Sequence, residues 1–206
     1  MLTIWGRKNS INVQKVLWTA AELDIAYEHR PIGGTPGSLE VPEYLRLNPN
    51  RLIPTLEDDG VVVWESNACV RYLAAKYGRG VLWAEEPGER AAADMWMDWM
   101  TSNLVAPLTL VFIGLIRTPP EKRDPAAIAT GVEKLGSLFG ILDRHLAQRA
   151  FVAGGQFTMG DIPVGAACYR YFALPIERPA LPHLYVWYER LQQRAAYRIH
   201  VMLPLT

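Results

Sequence analysis

Asn48-Pro49-Asn50-Arg51-Leu52-Ile53-Pro54-Thr55-Leu56 is followed, ten residues after Pro54, by Trp64-Glu65-Ser66-Asn67. Between the two, Ile53-Pro-Thr-Leu-Glu57 and Val61-Val-Val-Trp64 read as short strands. Asp58-Asp59-Gly60 joins them, and its Asp-Gly pair tolerates the positive φ angles of a two-residue hairpin turn. A proline that opens a strand on the exposed side of a small sheet cannot donate to the ladder, so Ile53 is expected to offer its N–H and C=O to an extended ligand. Glu65 and Ser66 then fall at the start of a helix. Unpaired N–H groups and the positive dipole end there attract a carboxylate, while Glu65 attracts an ammonium. The stretch reads as a docking edge for a peptide backbone with a place for both charges of an amino-acid end.

Upstream, Leu2-Thr-Ile-Trp5 is strand-like, Val13 to Leu23 has helical spacing, and Ala26 to Ile32 is again extended, which suggests a βαβ unit. Pro42 to Leu47 is a short helical piece. Glu65 to Tyr77 is expected to be a helix capped by Ser66, with Val70, Leu73 and Tyr77 on one stripe and Gly78 as its stop. Downstream of about Pro87 strand signals disappear and Ala, Leu, Met and Trp recur at helical spacing. The chain is therefore expected to divide into an α/β domain over residues 1–80, ordered βαβαββα, and an all-α domain over residues 87–206. Helices are expected near 89–116, 124–148, 159–173 and 183–197. Phe157-Thr158-Met-Gly-Asp161-Ile162 carries the Thr, acid and apolar pair of a capping box with its staple.

The 206 residues hold 21 Lys+Arg against 21 Asp+Glu, so no overall basic field collects phosphates and nucleic acid is a poor partner. With 50 % hydrophobic and 20 % charged residues the chain is neither disordered nor collagen-like. Met1-Leu-Thr-Ile-Trp runs straight into polar Gly6-Arg7-Lys8-Asn9-Ser10, so no secretory leader is expected. The longest apolar run, Leu104 to Ile116, contains Pro107, Thr109 and Gly114 and is shorter than the roughly 20 residues of a membrane span. It is expected as a buried helix, with no membrane as partner. Cys69 and Cys168 lack CxxC or Cys/His companions and are expected to be inert buried thiols. His29, His145, His183 and His200 lack metal-ligand spacing, so no metal is expected, and a reducing cytoplasm is the expected location.

Three motifs together resemble the glutathione transferase family: Asn48-Pro-x-x-x-Ile-Pro54, Glu65-Ser66, and the turn Asn9-Ser10-Ile-Asn12-Val-Gln-Lys-Val-Leu entering the first helix. The capping box at Thr158 to Asp161 adds a fourth. The resemblance implies a thioredoxin-like N-terminal domain, a cis-proline at Pro54 and an all-helical C-terminal domain. It further implies glutathione as co-substrate, lying along Arg51, Leu52 and Ile53 with its γ-glutamyl end at Glu65, Ser66 and Asn67. Ser10 is similar to the activating serine of the delta/theta-like classes, and Asn12 in the same turn is its rival. Asp98, in Trp96-Met-Asp98-Trp99, resembles the acid that a partner subunit sends to the γ-glutamyl amine, so a homodimer is implied. The chain departs from the family pattern at Arg51, where Gly is common, and at Asn67, where Ser or Arg is frequent.

The activity so implied is detoxifying: conjugation of the glutathione thiol to small hydrophobic electrophiles, halide displacement included. A non-catalytic binding or assembly module, and a glutathione-dependent peroxidase or reductase, are the alternatives on the same fold. The electrophile pocket is expected between the domains, lined by Trp5, Gly6, Arg7 and Lys8 on one side and by Leu104, Leu108 and Phe112, which share a helical stripe, on the other. Arg7 and Lys8 are expected to attract anionic electrophiles.

Overall fold

Strands as short as Leu2-Thr-Ile-Trp5 are stable only when paired and covered. In the computed structural model, which describes residues 1–206, the first unit supplies both conditions. It runs β1 (Leu2–Trp5), α1 (Ile11–Glu22), β2 (Tyr27–Arg30), α2 (Pro42–Leu47), β3 (Thr55–Asp58), β4 (Val61–Trp64) and α3 (Ser66–Tyr77). The sheet order is β2-β1-β3-β4, with β1 parallel to β2 and antiparallel to β3, and β3 antiparallel to β4. Asp59 (φ 50°) and Gly60 (φ 86°) make the hairpin turn with both central residues at positive φ. Behind the turn, buried Asp58 accepts hydrogen bonds from Tyr72, Lys76 and Tyr77, which fastens the hairpin to α3.

This order corrects one expectation. β3 is an interior strand, not an exposed one. Ile53 is nevertheless free, because the ladder begins at Thr55, which pairs with Trp5 and with Trp64. One step beyond that register stand Gly6, Pro54 and Glu65, so the β1–α1 turn, the Ile53–Pro54 bond and the start of α3 meet at one end of the sheet. That bond is cis.

α1 is covered on both sides. Val13, Val16, Leu17 and Ala20 join Leu2, Ile4, Leu56 and Leu73 in a small core against the sheet. Trp18 points the other way, into the larger core of the helical unit, with ring centroids 5.6 Å from Phe157 and 4.6 Å from Tyr197.

The helical unit holds α4 (Pro87–Trp99), α5 (Val105–Phe112), α6 (Pro125–Leu146), α7 (Asp161–Ala173), α8 (Pro182–Gln192) and α9 (Ala195–His200). α4 and α5 form one continuous helix, Pro87–Arg117, through π-helical turns at Met100–Leu104 and Ile113–Arg117. The first turn has a local cause. Thr101, Ser102 and Asn103 each donate to the carbonyl four residues back, and Pro107 has no N–H for the carbonyl of Asn103. At 31 residues, with a window of mean hydropathy 1.7, this helix exceeds the apolar run expected from sequence and is long and apolar enough to cross a membrane. Here Met97, Met100, Leu104, Leu108, Val111 and Phe112 are buried in the protein core.

The helix expected over 183–197 is divided into α8 and α9. Arg194 takes an extended conformation between them (φ −79°, ψ 122°), and its guanidinium holds the Glu22 carboxylate of α1 with two hydrogen bonds, 2.9 and 2.5 Å. The start of α7 is anchored by fully buried Asp161, which accepts from the N–H groups of Val152 (3.0 Å) and Thr158 (2.9 Å), the Thr158 hydroxyl (3.3 Å) and Trp187 Nε1 (2.9 Å). The Thr158 hydroxyl in turn accepts from Gly160 rather than from Asp161, so only the acid's half of the expected capping box has its usual partner.

Candidate functional site

Where β1 ends, Gly6 has φ 139°, and a Cβ there would overlap a Val13 methyl and lie 3.2 Å from Ile53 Cβ. Only glycine lets the chain turn this tightly, and the turn delivers Ser10 to the N-cap position of α1. Ser10 has cap backbone geometry (φ −82°, ψ 123°), but its hydroxyl makes no capping hydrogen bond. Opposite it, neither the N–H nor the C=O of Ile53 is hydrogen-bonded within the chain. The Leu52 carbonyl, by contrast, is engaged by the Tyr44 hydroxyl (2.6 Å) and Asn48 Nδ2 (2.9 Å), which hold the loop in place. Arg51 is exposed at φ 56°, with Glu40 3.9 Å away.

At the head of α3, Glu65 takes the N-cap position with φ 68° and ψ 114°. Positive φ in a non-glycine residue costs energy and persists only where the surroundings impose it. The expected cap is thus displaced by one residue: Ser66 is the first helical residue, and its hydroxyl turns away from its own helix. It donates to Asn12 Oδ1 (3.3 Å) and accepts from Lys15 Nζ (3.3 Å), and Lys15 also donates to Asn12 Oδ1 (3.0 Å). These contacts close a triangle between α1 and α3. The Glu65 side chain is exposed and forms no ion pair, and exposed Trp64 lies beside it.

Lys15 is 2 % exposed, and its other contact is Met100 Sδ at 3.8 Å. Burial above all, and Arg170 next, push its ammonium down to about 7, against the opposing pull of Glu65. A buried ammonium facing only neutral oxygens is the strongest electrostatic feature here, and the expected site omitted it. Its sequence context hid it: Lys15, Thr19 and Glu22 fall on one side of α1 and read as its polar face, yet Gln14, Lys15 and Thr19 are all buried.

Asn12, Lys15, Glu65, Ser66, Asn67, Arg71, Asp98 and Thr101 line one cavity of about 430 Å³. Asn67 Nδ2 donates to the Met97 carbonyl (2.9 Å) and to Thr101 (3.0 Å), while its buried Oδ1 has no partner. Asp98 is held within its own chain by Arg71 (2.5 Å), which also binds Asp94 (2.6 Å). The structure therefore brings together Asn12, Glu65, Ser66, Asn67 and Asp98, with Ser10, Ile53 and Pro54 at the same end of the sheet.

The expected electrophile lining is corrected. Trp5 faces away from the helical unit, because Ile4 takes the α1 side and side chains alternate along a strand. Its Nε1 donates to Glu57 (3.2 Å) and its ring lies 5.9 Å from that of Tyr44. Leu104, Leu108 and Phe112 do share a stripe, but it is closed into the core at 0–3 % exposure. Periodicity tells that residues share a face, not whether that face meets a core or a cleft. Arg7 does stand at the turn, with Nη1 3.0 Å from Asn9 Oδ1, and Lys8 is exposed. Burial pushes the Cys69 thiol up to about 12 and Cys168 well above its ordinary value, so neither is a nucleophile at neutral pH. His29 and His145 bind the carbonyls of Gly6 and Val152.

Residues 9–76 match the model of the glutathione S-transferase N-terminal domain, and residues 125–190 that of the glutathione S-transferase C-terminal domain. Over 208 residues, and 100 % of both chains, the protein is 42 % identical to glutathione S-transferase GstB of Escherichia coli strain K12. It is 34 % identical over 147 residues to glutathione S-transferase D7 of Drosophila melanogaster, covering 70 % of this chain and 63 % of the relative. Among solved structures, the theta class glutathione S-transferase of the citrus canker pathogen Xanthomonas axonopodis pv. citri, with glutathione bound, superposes with a TM-score of 0.96 at 49 % identity, covering 100 % of this chain and 99 % of that one.

Proposed function

Because the chain belongs to the glutathione S-transferase family and is a transferase that conjugates glutathione, we propose a residue-level reading of how it does so. The γ-glutamyl carboxylate sits at the Ser66 N–H, with the Lys15 ammonium behind and the Ser66 hydroxyl turning from Asn12 to meet it, and the ammonium sits at Glu65. The peptide backbone pairs with the free N–H and C=O of Ile53, and the thiol reaches Ser10. The observation that carries this reading is the unengaged hydroxyl of Ser10 at the start of α1, at the same end of the sheet as the free backbone of Ile53. Asn12 is the rival: its oxygen is held by Lys15 and Ser66, which leaves Nδ2 as the group that would donate to the thiol.

A thiol of pKa about 8.5 is only about 3 % ionised at pH 7. A hydroxyl donor together with the dipole of α1 lowering that pKa by about two units, or about 2.7 kcal/mol, would raise ionisation to roughly three quarters, about 25-fold. Nucleophilicity falls as pKa falls, which with a slope of about 0.4–0.5 removes about 6- to 10-fold. The net gain is a few-fold. Most of the acceleration therefore comes from holding a small electrophile against the sulfur.

Titration of the ultraviolet thiolate band of bound glutathione tests the assignment. Ser10→Ala should raise the apparent pKa of the bound thiol by one unit or more with affinity nearly unchanged. The same shift in Asn12→Ala, and none in Ser10→Ala, would move the role to Asn12. A cytoplasmic homodimer completes the reading, since two unpaired cysteines suit a reducing compartment and exposed Met95, Val105 and Leu110 on the long helix are apolar area that a second copy can cover.

A further inference from the structure

Three arginines near the thiol end have no role in the reading above. Arg7 lies three residues before Ser10. Arg117 ends the long helix, its guanidinium 4.8 Å from the Phe112 ring centroid, and donates to the Thr206 carbonyl at 3.0 and 3.3 Å. Arg170, half-buried on α7, lies 4.1 Å from the same ring centroid and its guanidinium donates to no acceptor in the protein. None of the three pairs with an aspartate or glutamate, although Arg117 is held by the oxygen of Thr206, the last residue of the chain.

The three repel one another. Burial, then Arg117 and Arg7, push Arg170 down to about 10, and burial followed by Arg117 lowers Arg7. Arg170 in turn bears on Lys15. A line of cations thus runs from the β1–α1 turn through the ends of the long helix and α7 to Lys15 at the floor of the glutathione cavity, where Glu65 opposes it. Like charges held together with no aspartate or glutamate beside them, Arg170 with its guanidinium donors unused, form an acceptor for an anion.

Resting on the glutathione S-transferase reading, we propose that the electrophile half of the site selects anionic, carboxylate-bearing electrophiles, with Arg7, Arg117 and Arg170 holding the carboxylate. In the reaction the glutathione sulfur forms a bond to the electrophilic carbon, chloride leaves with the electron pair of the carbon–chlorine bond, and the thiol proton passes to solvent. The arginines also account for the closure of Phe112, since two guanidiniums cover its ring.

The test compares 4-chloro-3-nitrobenzoate with neutral 4-chloro-3-nitrobenzamide in the full-length enzyme. The ratio of their kcat/KM values, corrected for their uncatalysed rates, should favour the carboxylate at least tenfold at low salt and shrink in 0.5 M sodium chloride. Arg170→Gln should lower that ratio about tenfold, Arg170→Lys should keep most of it, and Arg79→Gln, remote from the line, should leave it alone. An equal loss on both substrates in Arg170→Gln would mean a purely structural role and overturn the proposal. Should the glutamine variant not fold, competitive inhibition of the unaltered enzyme by 3-nitrobenzoate and 3-nitrobenzamide decides, with the carboxylate expected to bind at least tenfold more tightly and equal inhibition overturning the proposal. Turnover of the benzamide with no preference for the benzoate refutes the anion selectivity alone. Absence of glutathione binding refutes the underlying reading as well.

Discussion

Lys15 shows how one residue can set a property of the whole chain. Its folded-state pKa, about 7, lies below the ordinary lysine value of 10.5. Between those values the unfolded chain holds a proton that the folded chain has released, so stability rises with pH, by up to about 1.4 kcal/mol per pH unit, and levels off near 10.5. Below about pH 7 both states are protonated and the burial penalty is fully present. Urea unfolding of the wild type and Lys15→Met between pH 7.5 and 9.5 should show this slope in the difference between them, and equal slopes would place the proton elsewhere. The residue was hidden by its place beside Thr19 and Glu22 on the side of α1 that reads as a solvent face. Arg170 was not legible at all, because residues 7, 117 and 170 meet only through folding.

At the scale of elements, the turns and starts carried most of the legible information. The Asp58-Asp59-Gly60 hairpin, Pro54 and the Glu65-Ser66 helix start mark local chemistry that sequence displays directly, and they located the site. The interior place of β3 was hidden, since strand order depends on long-range pairing. The π-helical turns were hidden too, because side-chain competition for carbonyls leaves the apolar period almost unchanged. For α7, four donors converge on Asp161, which burial pushes up to about 6 while its hydrogen bonds pull the other way. Asp161→Ala strands the N–H groups of Val152, Thr158 and Trp187, and should cost about 3–5 kcal/mol in chemical denaturation. A loss under about 1 kcal/mol would show that water replaces the carboxylate.

Over the whole molecule, α1 belongs to both cores. The sheet holds it through Val13, Val16 and Leu17, and the helical unit holds it through Trp18 and the Glu22–Arg194 pair. The two units should therefore melt together, giving coincident transitions by far-ultraviolet circular dichroism and tryptophan fluorescence. Trp18→Ala should lower stability by about 3–5 kcal/mol, and two separate transitions in the wild type would refute the shared role of α1. Sedimentation should give a dimer mass, whereas a monomer at micromolar concentration would remove the second copy from the reading.

The arrangement around Glu65 also provides an optical probe. Among the seven tryptophans, Trp18 and Trp187 are sealed in the core, Trp5 and Trp96 nearly so, and Trp83 and Trp99 are half-buried, but Trp64 stands in solvent beside Glu65 and across from Thr55. A neutral collisional quencher such as acrylamide will therefore extinguish chiefly one lamp, the one on the sheet face that Trp64 shares with Thr55 and Trp5. Opening of the β3–β4 hairpin should change that lamp first, so an unlabelled sample can report the state of this sheet edge in real time while its other indoles serve as the constant background.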